Sequence, residues 1–206
     1  MAMTDLFFKS ALLPSGWESS VRISVSEDGW IQQITSGTSS DGCKDVPGIA
    51  VPGVPNLHSH AFQRAMAGLA ERGTSSTDTF WSWRERMYAF LERLSPKDVE
   101  AIATQLYVEL LRHGFTSVTE FHYLRNDIDG SAYQDPVAMG QRILSAADQA
   151  GIGTTLLPVL YRSSDFGNKP PAPEQKRFLA DVDDLIGDIA ALKDSTANNP
   201  QYRIGL

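Results

Sequence analysis

Val51-Pro52-Gly53-Val54-Pro55-Asn56-Leu57-His58-Ser59-His60 is an apolar run, punctuated by Pro and Gly, that ends in two histidines two residues apart. Read as a strand, it puts residues i and i+2 on one face, so both imidazoles project to the same side. Neutral imidazole is the commonest protein ligand for a divalent transition metal. His58 and His60 are therefore half of a candidate metal site at a strand end, a placement that suits hydrolytic chemistry. The plainer reading of a bare His-x-His is two polar residues at a strand-to-loop junction. The context favours ligation: the approach is apolar, Pro and Gly set the strand's start, and two of the four histidines in the chain are here.

Working outward, the residues before this run read as short strands. Phe7-Phe8, Val21 to Val25 and Trp30 to Ile34 are separated by turn chemistry at Pro14-Ser15-Gly16 and Glu27-Asp28-Gly29. Residues 1–50 are thus a small β unit with too few apolar side chains for a large core. After residue 50 the rhythm changes. A Thr/Ser-rich loop over 74–79 leads into an aromatic-Arg loop, Phe80 to Tyr88. Ser95-Pro96 predicts a helix start, and the helix runs to about His113, with Ile102, Leu106 and Leu110 at helical spacing and Gly114 as its stop. A strand over Thr116–Tyr123, a helix over Pro136–Ala150 stopped by Gly151, an apolar strand over Thr154–Leu160 and a helix over Ala172–Leu192 follow. Arg203 to Leu206 opens a fourth strand. Strict alternation of strand and helix implies an α/β fold with parallel strands joined by helical crossovers. A closed (β/α)8 TIM barrel takes about 250 residues, and residues 51–206 hold three to four βα units. The chain is either an open α/β layer or the front of a larger enzyme.

The sequence has 206 residues, 42% hydrophobic and 21% charged, enough for a sizeable core. A net charge of -7 with no basic run argues against nucleic acid or an anionic membrane as partner, while leaving room for an anionic small molecule held by one or two placed arginines. One cysteine, Cys43, excludes an internal disulfide framework and reads as a small packed residue, since a reactive thiol needs an electropositive setting. Met1 to Lys9 lacks the charge and apolar pattern of a signal peptide, and no apolar run reaches membrane-spanning length. The expected compartment is the cytoplasm.

Residues 52–71, Pro-Gly-Val-Pro-Asn-Leu-His-Ser-His-Ala-Phe-Gln-Arg-Ala-Met-Ala-Gly-Leu-Ala-Glu, resemble the amidohydrolase superfamily. Phe80-Trp81-Ser82-Trp83-Arg84-Glu85 and Thr119-Glu120-Phe121-His122-Tyr123-Leu124 resemble, more narrowly, the formimidoylglutamate deiminases of histidine degradation. The similarity runs from about Ala11 to Leu206. It implies the first part of a metal-dependent (β/α)8 barrel preceded by part of a small β-sandwich, with one divalent metal ion, zinc as a rule, on His58 and His60. It further implies a homodimer and a small anionic amino-acid substrate, N-formimino-L-glutamate, hydrolysed to N-formyl-L-glutamate and ammonia. The remaining ligands and the catalytic acid/base groups of that pattern fall beyond Leu206, so no catalytic residue is assigned within the chain.

By the same resemblance Gln63, Arg84 and Tyr123 bind substrate. A guanidinium fork suits a carboxylate bidentately, an amide and a phenol add neutral hydrogen bonds, and each has a plainer reading: a solvent-facing Gln, an Arg stacked on Trp, a rim Tyr with a backbone partner. His113 reads as a helix-end residue complementing the dipole. His122 and Glu120 share a strand parity opposite to Tyr123 and read as packed, structural groups. The acidic run Asp181 to Asp184 reads as a solvated helix face. Two other functions stay open: a nucleobase-type deaminase of the same superfamily, which has no special need for Arg84, and a catalytically inert fragment lacking the remaining ligands.

Overall fold

The computed structural model describes residues 3–69 and 80–206. They form two compact units that part between Gly53 and Val54. In the first, β1 (Met3–Leu13), β2 (Gly16–Ser26), β3 (Ile31–Thr35) and β4 (Lys44–Asp45) make one sheet in the order β3-β2-β1-β4. The hairpin pairs are antiparallel, and β4 joins β1 in parallel. The strands are longer than the sequence pattern suggests, because the β1–β2 ladder continues from Met3↔Ser26 to Leu13↔Gly16. Ala11 and Val21 are the only buried apolar side chains described in this unit, so its core is thin.

The second unit is a parallel sheet of β5 (Val54–Ser59), β6 (Phe115–His122), β7 (Gly153–Pro158) and β8 (Tyr202–Ile204), in sequence order. Between the strands run α1 (Phe80–Leu91), α2 (Pro96–Arg112), α3 (Ala138–Ala150) and α4 (Val182–Thr196), with two 3-10 turns at Ala61–Met66 and Pro173–Phe178. This is the βα order that opens a (β/α)8 barrel. The helix ends follow local chemistry. Ser95 caps α2 in a reciprocal box with Asp98, and Pro96 occupies the first turn. Gly151 ends α3 in the left-handed region at φ 79°, where a Cβ would be strained. Gly140 lies where α3 meets the sheet: an added Cβ would stand 3.3 Å from both Leu192 methyls.

Two sequence expectations are corrected and a third is refined. Phe80 to Leu91 is a helix, not a loop: it contains neither Gly nor Pro, and Met87 and Leu91, one turn apart, are buried together. The single helix expected over 172–192 is instead a 3-10 turn and α4, separated by extended residues. The break lies at Asp181, which caps α4 in a reciprocal box with Asp184; the acidic run opens this helix and its residues are exposed, as a solvated face. On α2 the fully buried stripe is Val99, Ala103 and Tyr107, while Ile102, Leu106 and Leu110 lie half-buried beside it. The expected loop over 74–79 lies outside the described residues.

Arg177 fastens the second 3-10 turn. Arg177 is 2% exposed, has no carboxylate partner among the described residues, and donates to the carbonyls of Asn126 (3.0 Å), Leu94 (3.0 Å) and Leu91 and to the Tyr133 hydroxyl (3.3 Å). Leu91 closes α1 and Leu94 lies in the turn just past it, so the guanidinium sits at the helix's C-terminal end, where a cation complements the dipole. Beside it, Arg125 meets Asp188 of α4 in a two-pronged pair at 2.6 and 3.2 Å, both side chains largely buried. Among the described residues no helix is long and apolar enough to cross a membrane.

Candidate functional site

The C-terminal ends of β5, β6 and β7 and the residues just past them surround a cavity of about 440 Å³. His58, His60, Gln63, Arg84 and Tyr123 all line it, together with Tyr88, Tyr161 and a set of aromatic walls. The position is the one where barrel enzymes place their chemistry. The five residues named from the sequence, spread over 66 positions from His58 to Tyr123, thus face one volume.

The histidine rings are 5.0 Å apart between centroids and nearly perpendicular. His60 Nδ1 is 3.1 Å from the Phe121 carbonyl oxygen. A carbonyl only accepts, so in the neutral ring Nδ1 carries the proton and Nε2 keeps its lone pair. This is the outer contact a metal-ligating imidazole usually makes. Burial lowers the His60 pKa, against the opposing pull of the Phe121 carbonyl, and so favours the neutral form that ligation requires. The donor pair fits a divalent transition metal in residue type, proximity and tautomer. No group of three or more His, Cys, Asp or Glu able to hold a metal occurs among the described residues, so the chain offers this pair and no larger set there.

Gln63 lies in the 3-10 turn after β5. Its Nε2 donates to the Tyr123 hydroxyl at 3.0 Å. Tyr123 packs edge-on against His60, Phe62 and Phe178, and burial pushes its hydroxyl up to about 12, keeping it protonated as a donor. Arg84 lies on α1. Its guanidinium stands 5.8 Å from the Trp81 ring centre and 5.4 Å from that of Tyr88. Arg84 Nε donates to the Tyr88 hydroxyl at 2.6 Å, and Nη2 reaches the Tyr161 hydroxyl at 3.4 Å. Both tyrosine oxygens also receive Nε2 of Gln175, at 3.0 and 2.7 Å. Gln175 is 1% exposed.

Tyr88, Tyr161 and Gln175 were not legible as site residues. Tyr88 had a signal, standing one turn after Arg84 on what proves to be a helix. Tyr161 and Gln175 had none, being joined to Arg84 only through the tertiary fold. Glu120 and His122, by contrast, lie off the cavity as their strand parity requires. Glu120 accepts from the Ala61 N–H at 2.6 Å and from the Tyr107 hydroxyl at 3.3 Å, and burial lifts its carboxyl to about 7. His122 is packed near Met139 and Leu192, and burial holds its imidazole down to about 4. His113 ends α2 with Nδ1 2.8 Å from the Glu109 carbonyl.

Comparison with known proteins agrees with this geometry. The profile of the amidohydrolase family matches residues 49–197. That of the N-terminal domain of formimidoylglutamate deiminase HutF matches residues 3–45. Formimidoylglutamate deiminase of Pseudomonas aeruginosa is 51% identical over 177 residues, covering 86% of this chain and 39% of that protein. The crystal structure of an amidohydrolase from Brucella melitensis superposes with a TM-score of 0.90 at 41% identity, over 100% of this chain and 45% of that one. Atrazine chlorohydrolase TrzN from Arthrobacter aurescens, in complex with zinc, shares the fold at a TM-score of 0.70 and 17% identity, over 100% of this chain and 46% of its own. The chain therefore spans less than half the length of the relatives it matches. With paired histidines at a strand end, parallel βα units around them, and a family profile that takes in most of its residues, the chain belongs to the amidohydrolase family.

Proposed function

We propose that this chain forms part of a formimidoylglutamate deiminase, which hydrolyses N-formimino-L-glutamate to N-formyl-L-glutamate and ammonia in histidine degradation. The observation that carries the reading is the gathering of Arg84, Gln63 and Tyr123 around the cavity that also holds His58 and His60. A dicarboxylic substrate needs a cation and neutral donors within reach of the reacting carbon, and this wall supplies them. The identity to the Pseudomonas deiminase supports the same substrate.

His58 and His60 would hold one divalent ion. Zinc is the choice supported by the zinc complex of TrzN and by the His donors. When bound, such an ion would supply a water nucleophile at neutral pH. The Phe121 carbonyl orients the His60 ring and fixes its proton on Nδ1. Arg84 offers the planar fork for a substrate carboxylate. Gln63 and Tyr123, joined to each other, offer neutral hydrogen bonds on the neighbouring wall. Phe121, Phe178 and Trp83 line the cavity with apolar surface that limits water around the substrate. In the net reaction water adds to the formimino carbon, the C–N bond to the terminal nitrogen breaks, and that nitrogen leaves with the protons as ammonia.

The test is ammonia release by the polypeptide at the full length of its relatives, with N-formimino-L-glutamate set against a panel of aminated nucleobases. Preference for the amino-acid substrate is expected. Turnover of a nucleobase alone would overturn the assignment in favour of the other deaminase class.

A further inference from the structure

The hydrogen bonds around Arg84 leave two donors unspent. Gln175 Oε1 accepts from the Ala172 N–H at 2.8 Å, which fixes the amide and turns Nε2 toward the tyrosines. Nε2 then donates to both hydroxyl oxygens, Tyr88 at 3.0 Å and Tyr161 at 2.7 Å. Arg84 donates to the same two oxygens through Nε and Nη2. Each phenol oxygen thus receives two N–H groups, which fills its acceptor capacity. The two hydroxyls also stand within reach of each other, but a proton passed across would give the receiving oxygen a third donor. Apart from the contact between the two tyrosines, no acceptor for either O–H proton occurs among the described residues, and both tyrosines line the cavity. The arrangement also occupies the Nε/Nη2 edge of the guanidinium and leaves Nη1 without an acceptor among these contacts.

We propose that Tyr88 and Tyr161 are two further substrate-binding residues, donating their hydroxyl protons to the carboxylate that Arg84 holds, and that buried Gln175 is the positioning residue that turns those protons into the cavity. This rests on the carboxylate role of Arg84 proposed above. The physical advantage is preorganisation. A free phenol rotates its proton among several directions, whereas here the two N–H groups at each oxygen leave one direction open, so the anion meets donors already aimed. The occupant is a carboxylate because the full positive charge of Arg84 beside two neutral donors favours an anion with two acceptor oxygens over a neutral group and repels a cation.

Glutarate, a five-carbon dicarboxylate, is the probe, with binding read by calorimetry on the polypeptide at the full length of its relatives. Tyr88→Phe and Tyr161→Phe should each weaken glutarate about 10-fold, and together on the order of 100-fold, the scale of hydrogen bonds to a charged acceptor. Gln175→Met, which keeps the volume and removes both donors, should weaken binding about 10-fold in the native background. In the Tyr88→Phe/Tyr161→Phe background, where no hydroxyl remains to aim, it should add nothing. An equal loss in both backgrounds would show that Gln175 merely supports the fold, and would overturn its role. Unchanged affinity in the tyrosine variants, or no glutarate binding by the native protein, would overturn the proposal as a whole. Ammonia release from N-formimino-L-glutamate is measured separately. Tyrosine-dependent glutarate binding without turnover leaves this inference standing and removes the deiminase reading, and turnover with tyrosine-independent binding does the reverse.

Discussion

Replacing Glu120 by Gln tests whether a buried carboxyl beside the histidine pair is neutral in the folded protein. Glu120 is 1% exposed, with one oxygen on the Ala61 N–H and the other on the Tyr107 hydroxyl. Burial outweighs these bonds and lifts its pKa from 4.5 to about 7. The unfolded chain ionises near the lower value, so the fold favours the proton. Below pH 4.5 both states are protonated and this stabilisation is complete. As pH rises toward 7 the unfolded state releases its proton first, and stability falls by about 1.4 kcal/mol per pH unit, or about 3 kcal/mol across the window. Gln keeps the acceptor for Ala61, offers its amide N–H to Tyr107, and does not titrate. The stability difference between Glu120→Gln and the native protein should therefore grow by about 3 kcal/mol, in favour of Gln, between pH 4.5 and 7.5. His122, whose depressed pKa makes stability fall with acid from about 6.5 toward 4, is common to both proteins and cancels. The assay is urea denaturation by tryptophan fluorescence at four pH values, with EDTA present so that no metal contributes. A difference that stays flat across the window would refute the reasoning, showing that the hydrogen bonds hold Glu120 ionised in the fold.

Arg84→Lys should lower kcat/KM for N-formimino-L-glutamate by about 10- to 100-fold at unchanged metal content, since an ammonium cannot reproduce the planar fork; Arg84→Ala within twofold of native would show that the side chain only packs on Trp81 and Tyr88. His58→Asn and His60→Asn should each cut bound zinc, measured by elemental analysis, to below about a tenth of native, because one lost imidazole removes one of the few nitrogen donors; full retention would place the metal elsewhere. Asp188→Leu should destabilise by less than the ~3–5 kcal/mol of a fully stranded charge, because Arg125 keeps Asp184 at 3.6 Å, and adding Arg125→Met should recover part of the loss. Denaturation midpoints decide this, and losses that simply add would show the pair is not coupled.

The part of the fold written in local sequence was legible. Val54 to Ser59 reads as a strand from its apolar run, and Ser95-Pro96 and Gly151 mark helix ends by chemistry confined to a few residues. The histidine pair was legible for the same reason, because strand parity alone puts residues two apart on one face. The nature of Phe80 to Leu91 was not, since an aromatic-rich stretch with only Met87 and Leu91 deeply buried shows little helical period. The split of the last helix was hidden too: Gln175 and Arg177 are polar residues in a stretch whose burial is set by Tyr161, 14 positions away, and by Tyr88, Asn126 and the residues at the end of α1, about 50 or more positions away. Composition assigns such residues to the surface, and only tertiary contact places them inside. The aim of the tyrosine hydroxyls is a property of the assembled hydrogen-bond network and has no sequence counterpart.

The 3-10 turn at Pro173–Phe178 grips α1 twice, through Gln175 on the tyrosines beside Arg84 and through Arg177 on the helix's terminal carbonyls. Two segments more than 80 positions apart therefore behave as one cassette. Grafting an α1 segment from a relative with another specificity, without its matching turn, would bring in a helix whose anchor points do not register. The two have to be exchanged together. Directed-evolution libraries that vary residues 80–91 and 173–178 jointly should yield folded, retargeted variants at a far higher rate than libraries varying either alone.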